Sequence, residues 1–94
     1  MENDARDAFM RSRDFMKLGM AVESGNWQIA HMTVNRMQKI CKEAAVSDFD
    51  RNLISLKQCI AARNKESCKD ILAVMVGKRV KYLNEAGKKQ DSGL

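Results

Sequence analysis

Proline is absent from this 94-residue chain, and aromatic residues make up only 5% of it. Because proline breaks helices and populates turns and edge strands, its absence favours long helices joined by short turns. The longest apolar run covers only residues 71–76, whereas about 20 apolar residues are needed to span a bilayer. Residues 1–7 lack the basic start and the apolar stretch of a secretory signal. These absences predict one soluble helical domain that does not use a membrane.

Cysteine and histidine are scarce, with three cysteines and a single histidine. An odd number of cysteines in a chain without a recognisable signal favours free thiols in the reducing cytoplasm. Zinc sites usually pair their ligands at close spacings, which Cys41, Cys59 and Cys68 do not do. We therefore expect a cytoplasmic protein that binds no metal and no other cofactor.

His31 raises a phosphotransfer interpretation, because such domains expose one histidine on a helical bundle. The phosphotransfer pattern has a lysine and a glycine three and four residues later, whereas this chain has Val34 and Asn35. The chain also lacks a glycine-rich phosphate loop and a Gly-x-Ser-x-Gly motif. An ordinary surface histidine is the stronger interpretation, and we expect no enzymatic activity.

What the chain does contain is helical periodicity, interrupted at three points. The pattern predicts helices over about 4–23, 27–45, a stretch after Ser47, and 65–86, with Gly87 ending the last one. Gly25 suits the left-handed position after a helix end, and Asn26 suits the cap of the next helix. We predict an all-α domain over residues 1–87, a four-helix antiparallel up-and-down bundle built from two helical hairpins. Residues 88–94 are predicted to be a flexible tail.

Apolar residues at helical spacing define the faces that should meet in the core. The first helix carries Ala5, Ala8, Phe9, Phe15, Met16, Gly19 and Met20. The second and third helices carry Ala30, Val34, Met37, Cys41 and Ala44, then Phe49, Leu53, Leu56 and Ile60. The fourth has the widest apolar face, formed by Cys68, Ile71, Leu72, Met75, Val76, Val80 and Leu83.

The two halves of the chain align when one is shifted by about 40 residues, a period at which helical hairpins repeat. Met16 then falls on Leu56, and Met20 falls on Ile60. An old duplication of one hairpin would produce this match. Any two amphipathic hairpins of equal length would also produce it, and the sequence leaves both explanations open.

The first hairpin contains Gly25, Asn26 and Trp27, followed by Ala30 and Val34. This arrangement resembles the glycine–aromatic–alanine–apolar signature of tetratricopeptide repeats. Residues 18–36 also resemble the first hairpin of small four-helix flagellar export chaperones. Each resemblance covers about one hairpin, and we assign the chain to neither family. Both imply a helical scaffold that binds proteins.

Two surfaces are candidates for binding. Apolar residues outside the core faces cluster around the first hairpin turn, and an exposed patch of this kind usually marks an interface for a second copy or a partner protein. Its members are predicted to be Leu18, Val22, Trp27 and Ile29. The net charge is +5, and a basic patch could attract nucleic acid. That patch is predicted to contain Lys78, Arg79, Lys81, Lys88 and Lys89.

The sequence therefore predicts a non-enzymatic adaptor or accessory protein that acts through protein–protein contact, including self-association as a homodimer. A basic accessory protein that binds nucleic acid is the alternative. Aromatic residues for base stacking are nearly absent, which makes nucleic acid the weaker prediction.

Overall fold

The computed structural model describes residues 4–92, with side chains described for 5–86, and all regular structure in that part is helical. Its five helices are α1 (Asp4–Met10), α2 (Asp14–Glu23), α3 (Trp27–Glu43), α4 (Asp50–Ala61) and α5 (Lys65–Ser92). Within the described residues, no helix combines the length and the apolar character needed to cross a membrane.

The four longer helices form a ring. Each packs against the next along the chain, and α5 closes the ring by packing against α2. The connections are short, three residues in each hairpin and six between the hairpins, so neighbouring helices run antiparallel. The short α1 packs against both α3 and α5. The predicted all-α bundle of two hairpins is confirmed, with α1 as an addition.

The first predicted helix is wrong in one respect, because it breaks at residues 11–13. In one continuous helix, residues six apart such as Phe9 and Phe15 would point roughly 120° away from each other. The break lets both rings meet Phe49, with ring centroids 5.3 to 5.8 Å apart across the three pairs. The Ser12 hydroxyl accepts a hydrogen bond of 2.9 Å from the backbone N–H of Asp14 and so supports the new helix start.

The predicted core faces of α3 and α4 are confirmed. Most of their members are buried, namely Ala30, Val34, Met37, Cys41, Phe49, Leu53, Leu56 and Ile60. Phe49 lies at the N-cap of α4, and no side chain caps this helix start by a hydrogen bond. The ring of Phe49 instead packs into the core, and its burial replaces the capping bond as the local stabilising contact.

The predicted face of α5 is too wide. Cys68, Leu72 and Met75 are buried, whereas Val76 and Val80 are 40% and 46% exposed. This helix packs mainly against α1, α2 and α4. It also continues past Gly87 to Ser92, so the predicted end at Gly87 is wrong. The flexibility of residues 88–94 stays a prediction.

The two hairpin turns have the same geometry. Gly25 has a φ of 73°, which confirms the predicted left-handed turn, and Arg63 has a φ of 55°. The Asn26 side chain accepts a hydrogen bond from the third residue after it. The Asn64 side chain does the same in the second hairpin. Each turn position is therefore matched by one 38 residues later.

The repeat register is thus 38 residues, two fewer than the sequence predicts. The predicted pairing of Met16 with Leu56 is wrong, because Met16 is 62% exposed and Leu56 is fully buried. The shorter register matches most of the buried residues of the first hairpin with buried residues of the second. Its pairs include Leu18 with Leu56, Val22 with Ile60, Val34 with Leu72, and Met37 with Met75.

Candidate functional site

The predicted interface residues do not share one surface. Leu18 and Val22 are 0% exposed and belong to the core, so their prediction as surface residues is wrong. Trp27 is half-buried and packs against the core, and only Ile29 is an exposed apolar side chain. The face of α2 is turned because the break before Asp14 resets the helical phase.

The residues that α2 exposes instead are methionines. Met16 is 62% exposed and Met20 is 65% exposed, although both were expected in the core. On α3, Met32 is 61% exposed and Ile29 is 39% exposed. The other described methionines within the helices lie in the core, so this exposure is specific to one side of the first hairpin.

These four side chains line two adjoining cavities on α2 and α3, which together we call the methionine groove. One part has a volume of about 460 Å³ and extends to the hairpin turn. The other part has a volume of about 440 Å³ and shares Lys17 and Ile29 with the first. Together they are lined by Arg13, Met16, Lys17, Met20, Ala21, Ser24, Asn26, Ile29, Met32, Thr33 and Arg36.

The lining of the methionine groove is apolar and positively charged. Arg13, Lys17 and Arg36 line it, and no carboxylate does. The nearest partner for these cations is Asp14, which is buried and forms an ion pair with Arg36. Arg13 and Lys17 are exposed. The groove therefore offers apolar surface beside positive charge.

The second hairpin provides an internal comparison for this surface. At the positions equivalent to Met20, Ile29 and Met32, it carries Gln58, Ser67 and Asp70. The hairpin fold thus forms with polar residues at these places. Packing does not require apolar side chains there, and contiguous exposed apolar surface usually serves binding.

Two members of the predicted basic patch, Lys78 and Arg79, contact other parts of the bundle. Lys78 donates hydrogen bonds to the backbone oxygen of Asp48 and to the side chain of Asn52, at 3.0 and 2.9 Å. Arg79 donates a 2.6 Å hydrogen bond to the backbone oxygen of Met10. These two cations hold α5 against α4 and α1.

Of the remaining members of that patch, Lys81 lines the same surface pocket as Lys78. Lys81 is exposed, and the side chains of Lys88 and Lys89 lie outside the described residues. A cation of the patch also contacts an aromatic ring, because the Arg79 guanidinium lies 5.3 Å from the centroid of the Phe15 ring.

The three cysteines are free and do not form a site. Burial, together with the nearby carboxylates of Asp50 and Asp48, raises the pKa of the Cys41 thiol to about 11. Burial also raises the pKa of Cys68, with Cys59 adding to the shift. Protonated thiols are weak nucleophiles and weak metal ligands. Among the described side chains, no group of three or more histidine, cysteine or acidic residues is arranged to hold a metal ion.

His31 lies on the exposed side of α3, away from the core. Its Nε2 atom is 3.1 Å from the side-chain nitrogen of Asn35, one helical turn later. This contact orients the ring along the helix surface.

No protein-family model, curated protein or solved structure matches the chain. The methionine groove therefore has to be interpreted from its own chemistry.

The sequence interpretation missed Met16 and Met20 as surface residues. Two pairs in α2, Met16 with Met20 and Leu18 with Val22, both have the four-residue spacing of a helix face. Periodicity alone cannot say which pair points inward. The 38-residue register would have identified the inward pair, because it places Leu18 on Leu56 and Val22 on Ile60.

Proposed function

We propose that this chain is a non-enzymatic protein-interaction module whose binding surface is the methionine groove. We further propose that it acts in a reducing compartment such as the cytoplasm, where its three free thiols would persist. The first hairpin remains the binding element, as its sequence suggested, but through Met16, Met20 and Met32 rather than Leu18 and Val22.

The contrast between the two hairpins is the observation that supports this proposal. The two hairpins share their turn geometry and register. At positions 20, 29 and 32 the first hairpin exposes methionine and isoleucine, whereas the second has polar residues at the equivalent positions. Methionine has an unbranched, polarizable side chain that adapts to different partner shapes, which suits a binding surface. Exposed thioethers contribute little to the core of the free chain.

The test transfers the surface of the second hairpin onto the first. The triple variant Met20→Gln, Ile29→Ser, Met32→Asp carries the residues found 38 positions later. Because all three replaced side chains are exposed, the free energy of unfolding should change by no more than about 0.5 kcal/mol per site. Immobilised wild type and variant are compared for the proteins that they capture from a lysate, with and without nuclease treatment.

The matched control is Ile54→Glu, because Ile54 is 53% exposed and is the counterpart of Met16 in the second hairpin. We expect the triple variant to lose the captured proteins and Ile54→Glu to retain them. Retention by a folded triple variant would contradict the proposal. Capture that disappears on nuclease treatment alone would favour the nucleic-acid alternative, which salt-dependent binding to generic DNA would then measure.

A further inference from the structure

We infer that the methionine groove accepts an amphipathic helix of a partner protein that carries aspartate or glutamate beside its apolar face. This inference rests on the proposed function and names the class of partner. It follows from the shape of the groove, its charge, and the partners that these features disfavour.

The shape of the groove suits a helix. Met20 and Ile29 line its end near the turn, and the Arg36–Asp14 ion pair lies toward the other end, so the groove runs along α2 and α3. Its lining extends on α2 from Arg13 to the turn residue Ser24, roughly 16 Å at 1.5 Å per residue. That length accommodates about three turns of a partner helix. Such a helix would place apolar residues at the i, i+3 or i+4, and i+7 positions.

The charge of the groove specifies what flanks the apolar face of that helix. Arg13 and Lys17 are exposed, and Arg36 is the third cation of the lining. Asp14 partners Arg36 and is buried, so it leaves the other two cations available. The turn end of the groove, at Ser24 and Asn26, is uncharged. Carboxylates on the partner would therefore meet the groove at the Arg13 end and steer the encounter.

The same features disfavour other occupants. A symmetric contact between two copies would bring together two grooves that are both lined by cations and by no carboxylate, so neither copy would supply the opposite charge. Nucleic acid would meet a groove whose lining contains no aromatic side chain for base stacking. A membrane surface requires a protruding apolar face rather than a concave one.

The experiment uses two fluorescein-labelled helical peptides of about 14 residues, sized to the three-turn groove with a short margin. Both present leucine at i, i+3, i+4 and i+7. One flanks the leucines with glutamate, and the other flanks them with lysine. Fluorescence anisotropy measures binding to the full chain. We expect the acidic peptide to bind about tenfold more tightly at low salt, since two exposed ion pairs contribute an effect of that order. The difference should shrink as salt is added.

Charge reversal identifies the site. In the double variant Arg13→Glu, Lys17→Glu, the preference should shift to the lysine peptide. The matched control is Arg51→Glu, because Arg51 is the residue 38 positions after Arg13 and is also exposed. This control should leave the preference for the acidic peptide unchanged.

The possible outcomes separate this inference from the proposed function. Equal binding of the two peptides, or tighter binding of the lysine peptide to the wild type, would overturn the acidic class of partner. If the Met20→Gln, Ile29→Ser, Met32→Asp variant then weakened both peptides alike, the groove would remain a binding site of a different specificity. Failure of both peptides to bind overturns the inference, while the lysate comparison still decides the proposed function. Tight binding to anionic lipid vesicles that required Met16 and Lys17 would also overturn it, in favour of a membrane surface.

Discussion

The two hairpins of this chain share a turn and an inner face but differ on the outside. Gly25 and Arg63 both adopt positive φ, and Asn26 and Asn64 cap the helices that follow. On the core side, buried apolar side chains occupy equivalent positions in both hairpins. Outside, the first hairpin has Met20, Ile29 and Met32 where the second has the polar residues Gln58, Ser67 and Asp70.

This difference separates the positions that form the core from the positions whose residue type the fold does not constrain. Positions that both hairpins bury are constrained by the core, and their residue types remain apolar in both copies. At other positions the residue type can differ between the hairpins, as position 41 and its counterpart 79 show. Cys41 is buried in the first hairpin, whereas Arg79 reaches across to bond the backbone of Met10 in α1. The second hairpin thus uses this position to hold α1, whereas the first uses it in the core.

The strongest test of the shared inner face is a matched pair of core deletions. Leu18 and Leu56 occupy equivalent positions, and both are 0% exposed. Leu18→Ala and Leu56→Ala should each lower the free energy of unfolding by about 2–5 kcal/mol, from lost burial and the cavity left behind. Urea denaturation followed by circular dichroism measures the loss.

The controls for this pair are Met16→Ala and Ile54→Ala, which change exposed side chains on the same two helices. Each should shift the free energy of unfolding by no more than about 0.5 kcal/mol. A small effect of Leu18→Ala beside a large effect of Leu56→Ala would mean that the hairpins do not share an inner face.

A second test uses the difference between Cys41 and its counterpart Arg79, which stays charged across the accessible pH range. The Cys41 thiol has its pKa raised from 9.0 to about 11 by burial and nearby carboxylates. Below about pH 9 the thiol is protonated in both states, so it contributes its full stability. As the pH rises from there through the folded-state pKa, the unfolded state ionises first and stability is lost.

Between about pH 8 and pH 10.5, wild type should lose about 2 kcal/mol more stability than Cys41→Ala, which lacks this titration. Parallel stability curves for the two proteins, measured by urea denaturation across the range, would show that Cys41 titrates alike in both states. Comparison with Cys41→Ala removes the contribution of lysine and tyrosine ionisation, which both proteins share.

Much of the fold could be predicted because it depends on local signals. Gly25 with Asn26 marks a turn, and the four–three spacing of Leu53, Leu56 and Ile60 marks an inner face. The break between α1 and α2 could not be predicted in this way. Its residues, 11–13, are not helix breakers, and the break is stabilised by the contacts of Phe9 and Phe15 with Phe49, which is distant from both in sequence.

The candidate site was less predictable for the same reason. The tie of Arg79 to the backbone of Met10 joins residues 69 positions apart, and the contact of Lys78 with Asp48 joins residues 30 apart. A linear cluster of cations contains no information about such partners. Likewise, the spacing of Met16 and Met20 is compatible with either side of α2, and only tertiary packing places them outside.

The smallest expected effect comes from exchanging the turn residues of the two hairpins. Gly25 has a φ of 73° and Arg63 a φ of 55°, a conformation that disfavours side chains with a Cβ. A Cβ added at Gly25 would meet no atom within 4 Å, so the backbone conformation alone determines the penalty. Gly25→Ala should therefore lower the free energy of unfolding by about 1 kcal/mol. Arg63→Gly should raise it by up to about 1 kcal/mol, because glycine adopts this conformation without strain.

If Gly25→Ala lowers the free energy of unfolding and Arg63→Gly raises it, the two turns share a backbone geometry but differ in backbone strain. Thermal melts of the two single variants and of the double variant measure this, and the double variant should return close to the wild-type stability because the turns belong to different hairpins. Ala62→Gly serves as the control, since Ala62 lies beside Arg63 but has an ordinary right-handed conformation. If Arg63→Gly destabilises the chain as much as Ala62→Gly does, the arginine side chain stabilises its turn by contacts that outweigh the backbone strain, and the two turns are then not equivalent in energy.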